Sequence, residues 1–315
     1  MSIWYDGHLV LLQAIFTGVL LAFSVQVPIR TGVFSFAGIG SYAIGGYTAA
    51  ILVAKHGWPE APAVLAAMAL AGLVGYLLSL IVQRLDGLYL GMATIAFDLI
   101  LGVIATNWRS VTGGATGLYG VLGNVPMPVL AGLTVVVIIL LAFTERGRLG
   151  RRITAVNRDP HLASSVGVRV SSYRQAAFVI SGLLGALAGA LNTLITTTIG
   201  PGNVGFTLIV TALTMIIVGG ARSWLGPAIG AVIFTWLPDL LQFVSQWQAV
   251  IYGFIVAVAA VWMPGGLIGV ATNLYRRSGG RSAVPAKAAD PADAYEVTPV
   301  DKIEQLVPGS EGSAA

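Results

Sequence analysis

Long apolar stretches, separated by short polar segments, run along most of the chain. A helix that crosses a bilayer needs roughly 20 apolar residues. We interpret nine stretches as candidate spans, at 9–27, 33–54, 61–82, 88–106, 126–143, 173–195, 204–218, 225–244 and 248–263. The pattern predicts an all-α, polytopic membrane helix bundle of about nine transmembrane helices.

The composition agrees with a chain that is largely covered by lipid. Of its 315 residues, 56% are hydrophobic and 10% are charged, whereas soluble domains carry about 25% charged residues. The net charge of +4 does not indicate nucleic-acid binding, because the basic residues lie between apolar stretches. The chain has no cysteine and its three histidines lie far apart, so we predict no metal site and no thiol catalysis.

Glycine motifs predict where the helices pack closely. Small residues let helices approach each other in a bilayer. We interpret Gly185-x-x-x-Gly189 and Gly226-x-x-x-Gly230 as packing faces of this kind.

The basic residues predict an orientation, because cytoplasmic segments of membrane proteins carry an excess of Lys and Arg. If the segment 144–172 is cytoplasmic, alternating spans place all but two of the 17 basic residues inside. The two outside residues are Lys55 and Arg109. We therefore expect a multi-pass protein of the bacterial inner membrane, with the N-terminus outside and the C-terminus cytoplasmic.

The residues after 275 differ from the rest of the chain. They are rich in Ala, Pro, Ser, Gly and acidic residues and contain few large apolar ones, which is typical of disordered segments. We predict a transmembrane domain at 1–275 and a disordered cytoplasmic tail at 276–315.

The segment 144–172, called the linker below, carries the clearest local signals. A basic helix is predicted over 148–157. Asp159 is a favourable N-cap, Pro160 suits the first helical position and Gly167 suits the position after the helix end, which together predict a second, short helix.

The short helix of the linker is predicted over 160–166, with Leu162, Ala163 and Val166 as a small apolar face. Orientation alone does not require a capped helix. We therefore interpret the linker as a docking surface for a cytoplasmic partner, and a segment that only sets topology is the alternative.

An acidic residue, Asp98, lies inside the fourth predicted span. An ionisable residue in a membrane is costly and by default marks a functional site, while a structural hydrogen bond to a neighbouring helix is the alternative. Asn107 and the loop after it follow at the outer end of this span, where a gate and a plain turn are equally favoured. The predicted substrate-pathway residues are Asp98, Asn107, Thr112, Gly113 and Gly114.

Five segments of the chain carry a family resemblance. They include GRLGRRITAVNRDP at 147–160, TGGATGL at 112–118 and GGARSWLGPAIGA at 219–231, together with the blocks 33–50 and 84–98. In order and spacing they resemble the permease subunits of branched-chain amino-acid ABC importers. The resemblance runs from about residue 15 to 268 and is to the longer of the two permease types.

The resemblance implies a set of partners. Two cytoplasmic ATPase subunits would each bind the linker of one permease subunit. A second permease subunit, favoured to be a different chain, would complete the substrate pathway. A periplasmic or lipid-anchored binding protein would deliver the substrate. This chain lacks the G-x-x-x-x-G-K-[ST] loop that cradles ATP phosphates, so ATP and Mg²⁺ are expected on the partners and no cofactor is expected here. The implied coupling residues are Arg158, Asp159, Pro160, Leu162, Ala163, Val166 and Gly167.

Other functions stay open at this point. The substrate implied by the resemblance is a branched-chain or other hydrophobic amino acid, and the alternative within the same family is urea or a short amide. A self-powered secondary transporter is less favoured, because such proteins normally carry more ionisable groups in the membrane. An enzyme is not favoured, because we find no paired carboxylates, no H-E-x-x-H and no G-x-S-x-G.

Overall fold

The computed structural model describes residues 2–221 and 223–240, together with eight single positions between 251 and 269. This part of the chain is built almost wholly from helices, which confirms the all-α class. The helices are α1 (Ser2–Arg30), α2 (Ala37–His56), α3 (Glu60–Val82), α4 (Gly87–Asn107), α5 (Arg109–Thr112), α6 (Met127–Thr144), α7 (Gly147–Arg158), α8 (Pro160–Ser165), α9 (Val170–Thr196), α10 (Phe206–Gly219) and α11 (Leu225–Leu240). Two short strands, β1 (Leu118–Tyr119) and β2 (Thr198–Ile199), pair antiparallel.

Six helices of the described chain are long and apolar enough to cross a membrane, namely α3, α4, α6, α9, α2 and the part of α1 from His8. They confirm the first six predicted spans. The seventh and eighth become α10 and α11, of 14 and 16 residues. At 1.5 Å per residue these are shorter than the roughly 30 Å hydrocarbon core. The ninth, 248–263, falls mostly outside the described residues, as does the predicted tail 276–315, so nine spans are not confirmed.

The second span begins later than predicted. The chain turns at Gly32, whose φ is +76°, and α2 starts at Ala37 rather than at residue 33. The backbone N–H of Phe36 donates a hydrogen bond to Thr94 Oγ1 of α4 at 3.1 Å. The start of α2 is therefore bonded to a side chain of a neighbouring helix, a contact that the apolar run alone could not show.

Helix α9 lies at the centre of the bundle and packs against α1, α2 and α3. Within its most apolar 18-residue stretch, 72% is buried, compared with 22% for the corresponding stretch of α6. Both predicted glycine motifs lie at close contacts: a Cβ on Gly185 or Gly189 would collide with the backbone of α2, and one on Gly226 or Gly230 with the backbone between 215 and 220. The prediction that these motifs serve packing is confirmed.

The bundle has two distinct ends. The linker end carries α7 and α8, and there Arg174 at the start of α9 pairs with Asp86 at 2.7 Å. The loop end carries the residues between α4 and α6 and those between α9 and α10. At the loop end Lys55 Nζ donates hydrogen bonds to the carbonyls of Ser110 and Val111, both at 2.9 Å.

Candidate functional site

The linker folds as two consecutive helices, α7 and α8, as predicted. Asp159 Oδ1 accepts hydrogen bonds from the backbone N–H groups of His161 and Leu162, each at 2.9 Å, which satisfies two donors that the helix start leaves free. Pro160 occupies the first position of α8. The local signals in the sequence therefore specify this helix start.

Gly167 ends α8 in the left-handed conformation, with φ of +82°. Its N–H donates to the carbonyl of Ser164, and the N–H of Val168 donates to that of Ala163, both at 3.0 Å. This pair of bonds is the Schellman motif, which stops a helix at a glycine. Both ends of α8 are thus fixed by their own residues.

The apolar face predicted for α8 is smaller than expected. Leu162 is 63% and Val166 is 70% exposed, but Ala163 is 1% exposed. The prediction that Ala163 belongs to the exposed face is wrong, because Ala163 lies on the side of the helix turned into the protein. Two large aliphatic side chains on a capped helix remain uncovered at the linker end.

Helix α7 is fixed to the end of α1 through Asn157. The side-chain amide Nδ2 of Asn157 donates to the carbonyls of Ile29 at 2.9 Å and Arg30 at 3.1 Å. These carbonyls belong to the last turn of α1, where no intrahelical donor is available. Gly32 lies against the backbone of Asn157, and a Cβ there would come within 3.1 Å of its Cα.

Glu145, between α6 and α7, joins two other elements. Its Oε1 lies 3.4 Å from Arg30 Nη2 and accepts a hydrogen bond from the backbone N–H of Trp224 at 2.8 Å. The side chains of Arg30 and Glu145 are only 12% and 26% exposed. One carboxylate therefore connects the end of α1 with the start of α11.

Gln26 holds the same region from inside the bundle. It is fully buried in α1, and its Nε2 donates to the carbonyls of Ser223 at 2.8 Å and Ala221 at 3.1 Å. These carbonyls flank the turn between α10 and α11. The amide nitrogen of this buried side chain is thus paired with backbone carbonyls, whereas its Oε1 has no hydrogen-bond partner within the described chain.

Asp98 lies in α4 and is 3% exposed. Its Oδ1 accepts a hydrogen bond from the backbone N–H of Gly40 at 2.8 Å, in the first turn of α2, where the helix dipole favours a negative charge. Its Oδ2 has no hydrogen-bond partner within the described chain. The geometry shows a hydrogen bond between two helices, and a role in the substrate pathway stays a prediction.

The loop after α4 is ordered around Thr112, which is buried. Its Oγ1 lies 2.7 Å from the carbonyls of both Ala105 and Trp108. Gly113 and Gly114 follow with φ of +78° and +66°, a backbone conformation that glycine adopts readily. The loop therefore forms a fixed turn at the loop end.

Asn107 is exposed and its Nδ2 donates to the carbonyl of Val103 in its own helix. The structure brings Thr112, Gly113 and Gly114 together but does not place them with Asp98. Asn107 follows Asp98 by nine positions in α4, which is about 14 Å along the helix axis. The five predicted pathway residues do not form one contiguous site in this chain.

Sequence reasoning did not identify Gln26, Glu145 or Asn157. Gln26 is a polar residue inside an apolar span, and Glu145 is the first acidic residue of a segment rich in arginine; both features are visible in the sequence. In the described part of the chain, no group of three or more His, Cys, Asp or Glu side chains comes together to hold a metal ion.

The apolar helices and the ordered linker together define a multi-pass membrane protein. A family model described as the permease component of branched-chain amino acid transport systems matches residues 9–260. The chain therefore belongs to this family of transport permeases.

Individual relatives agree with the family. The chain is 26% identical to the high-affinity branched-chain amino acid transport system permease protein LivM of Salmonella typhimurium, over 73% of this chain and 62% of that protein. It is 32% identical to LivH of Methanocaldococcus jannaschii, named as a probable branched-chain amino acid transport permease protein, over 68% of this chain and 74% of LivH.

A third relative is named for a different substrate. The chain is 24% identical to the autoinducer 2 import system permease protein LsrC of Escherichia coli, over 91% of this chain and 78% of LsrC. The match to LivM covers only 62% of the length of that relative. No solved structure matches the chain.

Proposed function

We propose that this chain is the membrane permease subunit of an ATP-binding-cassette importer, driven by ATP hydrolysis on separate ATPase subunits. The observation that carries the proposal is helix α8, capped at both ends and exposing Leu162 and Val166 at the linker end. Exposed aliphatic side chains on a rigid helix favour burial against a partner. We identify that partner as the cytoplasmic ATPase.

The contacts of the linker support this assignment. A docked partner can move the bundle only if its docking site is attached to the membrane helices. Asn157 provides one such attachment, to the last carbonyls of α1. Linker residues Arg158, Asp159, Pro160 and Gly167 either build α8 or flank it, so they belong to the proposed coupling surface.

The proposed orientation places the linker end in the cytoplasm of a bacterial inner membrane. Seven arginines lie between 146 and 174, and Lys55 lies with Ser110 at the loop end. This distribution supports a cytoplasmic linker. A second permease subunit, favoured to be a different chain, and a periplasmic or lipid-anchored binding protein at the loop end would complete the importer.

The proposed substrates are branched-chain and other hydrophobic amino acids. LivM and LivH carry branched-chain amino acid transport in their names, which supports this choice. None of the relatives named above carries urea or an amide in its name, so that alternative is not favoured. The match to LsrC covers more of this chain than the matches to LivM and LivH, and the name of LsrC concerns autoinducer 2. Autoinducer 2 is therefore a necessary comparison substrate.

The docking proposal is tested by copurification. Leu162→Asp and Val166→Asp place a charge in the proposed apolar contact and should lower the amount of copurified ATPase by about tenfold or more. Leu122→Asp is the matched control, because Leu122 is 86% exposed but lies at the loop end. Undiminished copurification of both linker variants would contradict docking at α8.

The transport proposal is tested in proteoliposomes that contain the chain with its ATPase, second permease and binding protein. We expect uptake of leucine that requires ATP on the ATPase side and exceeds uptake of urea and autoinducer 2. Uptake by this chain alone without nucleotide would identify a self-powered transporter instead.

A further inference from the structure

The turn between α10 and α11 is held by side chains that belong to other elements. Gln26 of α1 donates to the carbonyls of Ala221 and Ser223, and Glu145 accepts from the N–H of Trp224. The turn is therefore bound at two carbonyls by Gln26 and at one N–H by Glu145. We call Gln26 and Glu145 the turn clamp.

The turn clamp is directly connected to the linker. Glu145 follows the last residue of α6 and precedes the first residue of α7, Gly147, by two positions. Its backbone packs tightly against α7, because a Cβ on Gly150 would collide with the Glu145 carbonyl. At the other end of α7, Asn157 is bonded to α1. A helix of 12 residues is about 18 Å long and behaves as a rigid rod. A shift of α7 therefore acts on α1 at one end and on the turn at the other.

An open pocket of about 610 Å³ has residues of both α7 and the turn in its walls, among them Ile153, Thr154 and Ala221. Across the width of this pocket, the lining side chains of α7 and the turn do not pack against each other. The hydrogen bonds of the turn clamp reach the turn directly, and the Arg30 guanidinium, which lines this pocket, adds a charge interaction with Glu145.

We propose that Gln26 and Glu145 are positioning residues that tie the α10–α11 hairpin to the linker, so that linker movement is passed to this hairpin during transport. The inference rests on the proposed function for its role in transport, but the mechanical connection itself does not. The hairpin packs against α1, so its movement changes the arrangement of the membrane helices.

The first test compares uptake with ATP hydrolysis in the reconstituted importer. Glu145→Ala and Gln26→Leu should lower substrate taken up per ATP hydrolysed by about two- to thirty-fold, with ATPase binding retained. Glu145→Gln should restore most of the ratio, because its amide oxygen still accepts from Trp224. Glu60→Ala is the matched control, because Glu60 accepts a backbone N–H from Asn124 at the loop end. Wild-type ratios in both Glu145→Ala and Gln26→Leu would overturn the proposal.

The second test uses the chain without its partners, in nanodiscs. It measures the distance between spin labels in α8 and α11, which the turn clamp should hold constant. The chain has no cysteine, so labels at Ser165→Cys in α8 and Leu225→Cys in α11 report without background. We expect one narrow distance distribution in the wild type and a broad one in Glu145→Ala.

The two tests separate failure of the clamp from failure of the proposed function. A broad distribution in the otherwise wild-type chain would overturn the clamp, even if the clamp variants failed to fold. If the distribution is narrow and broadens in Glu145→Ala, the clamp is supported. If the reconstituted importer at the same time shows no nucleotide-dependent uptake, the importer assignment is rejected and the clamp is retained.

Discussion

The carboxylate of Asp98 in α4 accepts a hydrogen bond from the backbone N–H of Gly40 in α2, at 2.8 Å. Thr94, one turn earlier in α4, accepts from the N–H of Phe36. The two side chains lie four residues apart and therefore share one face of their helix. Together they satisfy donors at the start of a helix that begins inside the bundle.

This relationship predicts a graded response to substitution of Asp98. Asp98→Ala removes the acceptor from a buried N–H and should cost about 1–3 kcal/mol of stability. Asp98→Asn keeps an oxygen acceptor and should cost less. Thermal unfolding of the purified protein in detergent measures both changes. Equal stability of Asp98→Ala and the wild type would show that the bond contributes nothing.

Uptake by the same variants separates the two interpretations of Asp98. If the residue only joins α2 to α4, Asp98→Asn should transport at close to the wild-type rate. A large loss of uptake in a well-folded Asp98→Asn importer would instead support a place for the carboxylate in the substrate pathway.

The contact between α2 and α9 predicts a strong effect of one added methyl group. A Cβ on Gly189 would collide with the carbonyl oxygen of Tyr42. Gly189→Ala must separate the two helices, which should destabilise the protein by about 1–3 kcal/mol. Gly132→Ala in α6 is the matched control, because a Cβ there meets nothing within 4 Å.

Thermal unfolding again provides the measurement for this pair. Gly132→Ala should be neutral or stabilising by up to about 1 kcal/mol, because alanine favours a helix over glycine. If both variants unfolded at the same temperature, the close approach of α2 and α9 would not contribute to stability.

The sequence predicted those features that depend on neighbouring residues. The caps of α8 are set by Asp159 and Gly167, which lie within or next to the helix, and both were identified from their positions. The first six spans followed from apolar runs of the required length. Helix packing at Gly185 and Gly189 followed from their spacing.

The features that the sequence did not predict depend on distant partners. Gln26 bonds the carbonyl of Ser223, 197 residues away, and Asn157 bonds that of Ile29, 128 residues away. Without the fold, nothing marks those carbonyls as acceptors. The burial of Ala163 was missed for a related reason, since a six-residue helix does not reveal which side faces the protein.

The cap of α8 predicts a local effect on the linker. Asp159→Ala removes the acceptor for two backbone N–H groups and should destabilise the start of the helix by about 0.5–2 kcal/mol. Amide hydrogen exchange at 160–166 should then become faster, while Asp159→Asn, which retains a good N-cap, should exchange almost like the wild type. Unchanged exchange in Asp159→Ala would contradict the role of this cap.

The hydrogen bonds of Lys55 predict a similar local effect on amide exchange at the loop end. Its ammonium donates to the carbonyls of Ser110 and Val111 in α5, a helix of only four residues that cannot satisfy its own last carbonyls. Lys55→Met keeps the length of the side chain but removes the donor, so amide exchange across 109–117 should become faster. Arg109→Met is the control for lost positive charge, because it lies at the same end but leaves the Lys55 bonds intact. Faster exchange in Arg109→Met alone would assign the order of this loop to Arg109 instead.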